Sequence, residues 1–594
     1  SINSDRNQYN EAENLYLQSL NLYEQAEDNL GKGKTSAGLA RLYLEQNRFS
    51  DAQPVYQQAL EIAQIEKDWE TLGHCYWGLG CCYQEAGELK QAIAFFQKAL
   101  NLIELRQQDL HTDEGKVTFL DSVKDVFDRL LVAHLDLAQR ENGDYQAALE
   151  VAESARGRAL SDLMGKEERR HPQLKKQEKV DRLDDLQTKT GVQPNSFSNM
   201  TVQAALGTLS NSSNNNAIDS ATETDRSIKV SPLARLVFYV LLDRTAIFAV
   251  TPDGKVSGYV SPIGCHELEQ KVARLRRAMK VDEASRGVER KLLVVEQLES
   301  VEFPLVDLET LLKEFYNDLV APVAEALPTD GNTLVIEPHA SLWLVPFAAL
   351  QLPDGKYMCD RWALIYTPSA QTLEEIRNQL CYATIDESKI LAVGNPVMPK
   401  VPTQEGSEIT LSPLSGAEEE ARAIVESWGE RKHTLLLREA ATEAAVKDFA
   451  QTHNIIHLAT HGIAYTENPL NSFVAFSPTE TENGLLTARE VAHNRDLPAD
   501  LVVLSACQTG LGRISGDGML GLSRAFSIAG ARTVMVSQWS VSDRATKELM
   551  VAFYQNYVEL RNKAIALQRA MQLVRSKYKH PSCWAAFLMV GAEI

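Results

Sequence analysis

Asn454-Ile455-Ile456-His457-Leu458-Ala459-Thr460 is an apolar run of strand length that ends in His461-Gly462, and forty-six positions after that histidine Leu501-Val502-Val503-Leu504-Ser505 ends in Ala506-Cys507. Apolar residues at consecutive rather than alternate positions are what a strand covered on both faces requires. Open parallel sheets present their working residues at the carboxyl ends of the strands. The two runs therefore predict neighbouring buried strands, one delivering an imidazole and the other a thiol, the residue types of a base and a nucleophile. His457 lies on the same strand face as His461 by period-two alternation, but inside the apolar run, which marks it as a histidine of the core or one that supports the site.

Strand and helix patterns alternate on both sides of this pair. Strands are expected at Ile390–Val393, Thr434–Leu437, Ile455–Thr460, Leu501–Ser505, Thr533–Ser537 and Ala585–Val590. Helices fall at Ala417–Trp428, Thr442–Ala450, Met519–Ala529, Arg544–Tyr557 and Lys563–Ser576. The alternation implies a mostly parallel, six-stranded sheet covered on both faces over residues 389–594. Residues 231–388 carry further α/β patterns: strands at Leu236–Leu242 and Thr245–Val250, helices at about His266–Met279 and Leu305–Val320, and the strand Thr333–His339. His339 sits at a strand end, but no nucleophile follows it at a comparable place, so a structural role is expected.

The first 165 residues are repetitive. Ala12, Tyr16 and Ser19 recur as Ala52, Tyr56 and Ala59 and again as Ala92, Phe96 and Ala99, while Leu39-Ala40 and Tyr43 are matched by Leu79-Gly80 and Tyr83, always at a shift of forty. Small residues let paired helices approach, and the aromatic ring fills the groove between repeats. A more divergent fourth unit is expected from Val117 to Leu163, with Gln146–Met164 capping the stack. An all-α solenoid of this kind offers a concave face to a peptide or partner protein, or else only scaffolds the rest of the chain. The array starts at the second helix of a repeat and the sequence lacks an initiating Met, which suggests a trimmed chain. Residues 166–230 turn charged and then Ser/Asn-rich, which is the composition of a linker, partly disordered, and of a candidate cleavage or regulatory loop.

At 594 residues the chain exceeds one hydrophobic core. Its net charge of −20 argues against a general nucleic-acid surface and suits a partner or substrate bearing Lys and Arg. No apolar stretch approaches the ~20 residues of a membrane span, and Ser1-Ile2-Asn3-Ser4-Asp5 is no signal peptide, so a cytoplasmic location is expected. The eight cysteines form no pair of CxxC knuckles. Seven read as small buried hydrophobes, and only Cys507 has a histidine-bearing strand as companion. No metal or other cofactor is expected.

A thiol with a free pKa near ~8.5 is only partly ionised at neutral pH, and a neighbouring imidazole both lowers that value and returns a proton to a leaving amine. His461 is placed for this. The backbone N–H groups of Gly462 and Cys507 are the candidate oxyanion donors. Ser505-Ala506-Cys507-Gln508-Thr509-Gly510 comes close to the caspase signature without matching it fully. Together with Glu153-Ser154-Ala155-Arg156-Gly157-Arg158-Ala159-Leu160, Val345-Pro346-Phe347-Ala348-Ala349-Leu350, Gly416-Ala417-Glu418-Glu419-Glu420-Ala421, Gly521-Leu522-Ser523-Arg524-Ala525-Phe526 and Trp584-Ala585-Ala586-Phe587, these segments resemble the CHAT-domain family. That family comprises caspase-like, separase-related cysteine peptidases fused to tetratricopeptide repeats.

The resemblance implies a multidomain chain with a tetratricopeptide-repeat solenoid (1–165), the linker (166–230), a pseudo-caspase-like part (231–388) and a caspase-like catalytic part (389–594). It implies peptide-bond hydrolysis by His461 and Cys507 without a metal, and a role in bacterial regulation or defence in which a partner releases the activity. Separase-like relatives cut after a basic residue by means of an acidic pocket. Asp543 and Asp517 are the candidates here, although Asp543 is equally placed to cap the helix that follows it. Cleavage after Asp would instead need a basic pocket, for which Arg513 or Arg544 is available. The expected function is a cysteine endopeptidase whose repeats bind substrate or an activating protein. The alternatives are a non-enzymatic repeat scaffold with a degenerate caspase-like domain, and acyl transfer by the same dyad.

Overall fold

The computed structural model describes residues 2–107, 113–141, 143–164, 232–279, 307–329, 331–378, 385–402, 408–465, 469–494, 497–505, 514–515, 518–519, 521–539 and 541–594. The described residues of Ser1–Ala159 and Ser231–Ile594 belong to one compact unit. It opens with seven helices: α1 (Ile2–Gln25), α2 (Asn29–Glu45), α3 (Phe49–Glu66), α4 (Trp69–Glu85), α5 (Leu89–Gln107), α6 (Asp113–Arg140) and α7 (Gln146–Met164). The forty-residue period is visible in three dimensions. Asp28 and Asp68, forty apart, each cap a helix by accepting the N–H of the residue three ahead. Ala52, Tyr56 and Ala59 are buried together with Ala92, Phe96 and Ala99. Gly78 is fixed by contact, because a Cβ there would lie 2.2 Å from the Tyr56 ring.

The fourth unit does more than cap the stack. Leu131 and Leu135 of α6 and Ala148, Leu149 and Ala152 of α7 pack against Val237, Tyr239, Ala246 and Phe248 of the first two strands. Polar contacts reinforce the seam: Tyr239 donates to Asp128 at 2.9 Å and Arg244 pairs with Asp136 at 2.9 Å. Deeper in, Arg156 of α7 is 1% exposed and lies 3.7 Å from the fully buried Glu337 carboxylate, while donating to the carbonyls of Phe238 and Pro338. Arg235 bridges Glu337 at 2.8 Å and Glu153 at 2.5 Å. Burial pushes the Glu153 carboxyl above its usual range despite the Arg235 charge.

The α/β part is built on β1 (Ala234–Val240), β2 (Thr245–Val250), β3 (Val256–Ser261), β4 (Thr333–Glu337), β5 (Ala363–Tyr366), β6 (Ile390–Pro396), β7 (His433–Arg438), β8 (Ile455–Ala459), β9 (Leu501–Leu504), β10 (Thr533–Ser537) and β11 (Phe587–Gly591). Helices α8 (Cys265–Ala278) and α9 (Leu308–Leu319) belong to its first half. In its second half lie α10 (Ser415–Trp428), α11 (Glu443–Ala450), α12 (Leu522–Ala529), α13 (Asp543–Leu560) and α14 (Lys563–Lys577).

The expected six-stranded sheet is corrected to one continuous sheet of eleven, ordered β3-β2-β1-β4-β5-β11-β10-β9-β8-β6-β7. The six anticipated strands are β6–β11. The other five extend the sheet through a parallel pairing of β11 with β5, in which Val590 meets Tyr366. Two of those five, β3 and the four-residue β5, carry no distinct pattern in the sequence. Pairing is parallel except at β1–β2, β2–β3 and β10–β11. Since β11 is antiparallel to β10 and parallel to β5, β4 and β5 point the opposite way from β6–β10.

Candidate functional site

Strands β6, β8, β9 and β10 are parallel and buried, so their carboxyl ends share one edge. Residues 455–458 of β8 pair with Leu501–Leu504 of β9, with His457 opposite Val503. The strand ends at Ala459, so His461 lies beyond the reach of period-two alternation, and the expectation that it shares a face with His457 does not hold for a residue outside the ladder. A short strand, Phe473–Ala475, fixes this exit instead. The Thr460 hydroxyl donates to the Ala475 carbonyl at 2.7 Å, Ala475 N–H donates to the His461 carbonyl at 2.8 Å, and Gly462 pairs with Val474.

The His461 side chain is 9% exposed. Its Nε2 lies 2.8 Å from the Ser412 carbonyl oxygen, which can only accept, so Nε2 carries the hydrogen and Nδ1 presents a lone pair. Nδ1 has no hydrogen-bond partner among the described residues. Burial holds the imidazole below its ordinary pKa, opposed by the Ser412 carbonyl and by the negative charge of Asp543. The loop that supplies the carbonyl is itself pinned: Leu414 N–H donates to Asn395 Oδ1 at 2.8 Å. Asn395 sits at a register shift in β6 with φ 48°, a left-handed conformation that asparagine tolerates better than most residues. Ser412 escapes sequence reading because it works through its backbone.

Beneath this edge lies a polar cluster sealed from solvent. Glu420 of α10 is 3% exposed and accepts from Ser505 Oγ at 2.6 Å and from His457 Nε2 at 2.9 Å, on the same carboxylate oxygen. His457 Nδ1 lies 3.2 Å from the Tyr554 hydroxyl of α13. This places His457 in the core, as anticipated. Glu420 had a readable signal: Ala417, Ala421, Ile424 and Trp428 form the buried face of α10, and Glu420 is the one acid within it.

Asp543 is exposed at the start of α13. It is not the cap of that helix. Ser542 is, accepting the N–H of Ala545, and Asp543 is the first helical residue. Its carboxylate lies against the first turn of α10, where a Cβ on Gly416 would meet Oδ2 at 2.3 Å. Arg544 points away to solvent, 3.6 Å from Glu548. Cys507, Asp517 and Arg513 lie outside the described residues, as does Cys381.

His339 is buried, accepts the N–H of Val240 at 3.0 Å and stacks on Tyr239 at 4.3 Å. It follows β4, whose reversed direction puts its carboxyl end at the opposite edge of the sheet from His461. Its role is structural. Cys75, Cys81, Cys82 and Cys359 are buried, whereas Cys265 and Cys583 are only half-buried, which corrects the expectation for those two. Among the described residues no three His, Cys, Asp or Glu side chains cluster as metal ligands, and no helix is long and apolar enough to cross a membrane.

Comparison with known proteins adds a family to this geometry. The CHAT domain family matches residues 309–592, and the tetratricopeptide repeat family matches residues 2–65 and 55–104. Tetratricopeptide repeat protein 28 of Homo sapiens is 28% identical over 330 residues, covering 48% of this chain and 13% of that protein. Its Mus musculus counterpart is 29% identical over 332 residues with the same coverage. The chain thus matches only 13% of the length of these curated relatives.

Among solved structures, the separase–securin complex of Saccharomyces cerevisiae aligns with a TM-score of 0.44 and 11% identity, over 97% of this chain and 48% of that one. The pro- and mature domains of Porphyromonas gingivalis RgpB align with a TM-score of 0.30 and 11% identity, over 48% and 68%. On the family matches, the chain carries a CHAT domain over residues 309–592 behind an array of tetratricopeptide repeats.

Proposed function

We propose that the protein is a cysteine endopeptidase in which His461 and Cys507 form the catalytic dyad. The observation that carries this reading is the committed tautomer of His461: with Nε2–H held by the Ser412 carbonyl, Nδ1 is left as the base, at the sheet edge where β9 ends, three residues before Cys507 in the sequence. In the proposed reaction Nδ1 takes the thiol proton and the sulfur attacks the peptide carbonyl. The oxyanion is met by the N–H groups of Gly462 and Cys507, the imidazolium protonates the departing amine, and water hydrolyses the thioester. A basic residue before the scissile bond fits the exposed carboxylate of Asp543, with Asp517 as second candidate. The repeats suit protein–protein interaction, and on this reading they bind the substrate or an activating protein.

Hydrolysis of fluorogenic Arg, Lys and Asp peptides by the wild type and by Cys507→Ala tests the assignment. Cleavage is expected with Arg and Lys and lost in the variant; activity that survives the substitution sinks the dyad. Asp543→Ala should lose the preference for Arg and Lys.

A second reading, a repeat scaffold with a degenerate caspase-like domain, draws on the curated relatives, whose name refers to the repeats alone. A thiol-reactive peptide probe separates the two, since failure to label Cys507 with or without partner proteins favours the scaffold.

A further inference from the structure

We propose that Glu420 is a positioning residue for Cys507, acting through the hydroxyl of Ser505. The proposal rests on the peptidase reading and concerns how its nucleophile is held. Strand β9 makes its last ladder pairing at Leu504, opposite Leu458 in β8 and Val536 in β10. Ser505 is the next residue, and Cys507 follows two positions later. A chain leaving a ladder has lost the bonds that fixed its direction, and the 2.6 Å bond from Ser505 Oγ to Glu420 replaces them with one to an acceptor anchored on a different element.

The acceptor is costly to keep where it is. A carboxylate in a dry interior forgoes its hydration, and an apolar residue on that face of α10 would pack at no such cost. One arrangement of hydrogens satisfies every contact around Glu420. Tyr554, whose phenol burial holds far above its ordinary pKa, donates to His457 Nδ1. His457 Nε2–H and Ser505 O–H then both donate to Glu420 Oε1. Every hydrogen shared along the chain then has an acceptor. The chain runs from α13 through β8 and α10 to the end of β9, so three elements set the position of one serine. The cost of the buried charge is matched by a placement that a one-ångström error would degrade.

The test uses the full chain with Ser505→Ala, Ser505→Thr and Glu420→Gln. Three quantities are read: kcat and KM on an Arg peptide, the rate of Cys507 carboxymethylation by iodoacetamide, and the thermal midpoint. Ser505→Ala is expected to stay folded, to lose at least about tenfold in kcat with KM within about twofold, and to change the carboxymethylation rate several-fold. Ser505→Thr keeps the hydroxyl and is expected to recover most of both. Glu420→Gln is expected to lower kcat beyond what its fall in folded fraction explains. Folded Ser505→Ala with kcat and carboxymethylation both within about twofold of wild type overturns the proposal, as does a folded Ser505→Thr protein that is as slow as the alanine variant. If the wild type cleaves no peptide with or without partner proteins, the peptidase reading fails by itself, and the carboxymethylation rates still decide whether Ser505 positions the thiol.

Discussion

Replacing Arg156 by methionine keeps much of its volume and removes one of the two cations that face the buried Glu337. Arg156 is 1% exposed and Glu337 is fully buried, so the variant leaves a carboxylate in a dry seam between the repeats and the sheet. It also strips the carbonyls of Phe238 and Pro338 of a donor. Breaking a buried ion pair typically costs about 3–5 kcal/mol. Two features place this case at the lower end: the pair is 3.7 Å apart, and Glu337 keeps Arg235 at 2.8 Å. An expected loss of about 3 kcal/mol is a fall of roughly a hundredfold in the folded-to-unfolded ratio.

Urea unfolding followed by tryptophan fluorescence reads it as a shift in midpoint at unchanged slope. A double-mutant cycle with Glu337→Gln isolates the charge, because once residue 337 is neutral the methionine no longer leaves a buried carboxylate short of a cation, while the loss at the two carbonyls is common to both backgrounds. The double variant should be about 1–2 kcal/mol more stable than the sum of the single losses predicts. Additive losses, or an Arg156→Met change below about 0.5 kcal/mol, would show that the buried charges are not coupled and that packing alone holds the seam.

Three further outcomes are expected. Gly78→Ala puts a methyl 2.2 Å from the Tyr56 ring and should destabilise the repeats by about 1–3 kcal/mol, seen as a lower thermal midpoint by circular dichroism; an unchanged midpoint would mean that the ring moves aside freely. In Cys507→Ala protein, carbon-13 NMR of labelled histidine should find His461 titrating below 6.5, because burial disfavours the imidazolium, and Asp543→Asn should move it lower still by removing a favourable charge. A value above 6.5 contradicts the buried, neutral base.

Asp500→Asn should be among the most damaging substitutions, about 3–5 kcal/mol, since Asp500 is the shared partner of the fully buried Lys563 at 2.9 Å and of Arg532 at 2.8 Å. Burial raises the Asp500 pKa, but the two cations outweigh it and hold the carboxyl below 3.8. Its contribution is therefore present above the unfolded value near ~3.9 and is lost as pH falls through the lower folded one, so acid unfolding of Asp500→Asn should lack that step.

The features legible in the sequence were those that recur or run. Tyr16, Tyr56 and Phe96 repeat at forty, and strands such as Leu501–Leu504 are unbroken apolar runs, so the repeats and the second half of the sheet could be written down with few errors. The features that escaped depend on partners distant along the chain. Ala363–Tyr366 is four residues long and becomes a strand because β4 and β11 lie on either side of it. The site divides the same way. His461 advertises itself through the strand before it, whereas Ser412 contributes a carbonyl that any residue type carries. Glu420 hides among three consecutive glutamates and is told apart only by helical phase.

The pairing of β5 with β11 has a consequence for how the protein is made. Val590 follows its partner Tyr366 by about 220 residues, so during synthesis the edge of β5 stands without its neighbour for on the order of 10–50 s at ~5–20 residues per second. That edge is fully buried in the finished sheet, and an open, apolar strand edge is a template for pairing with other chains. The nascent protein is most vulnerable in this interval. Co-translational chaperone capture, or aggregation when it fails, should concentrate on nascent chains that contain β5 but have not yet reached β11.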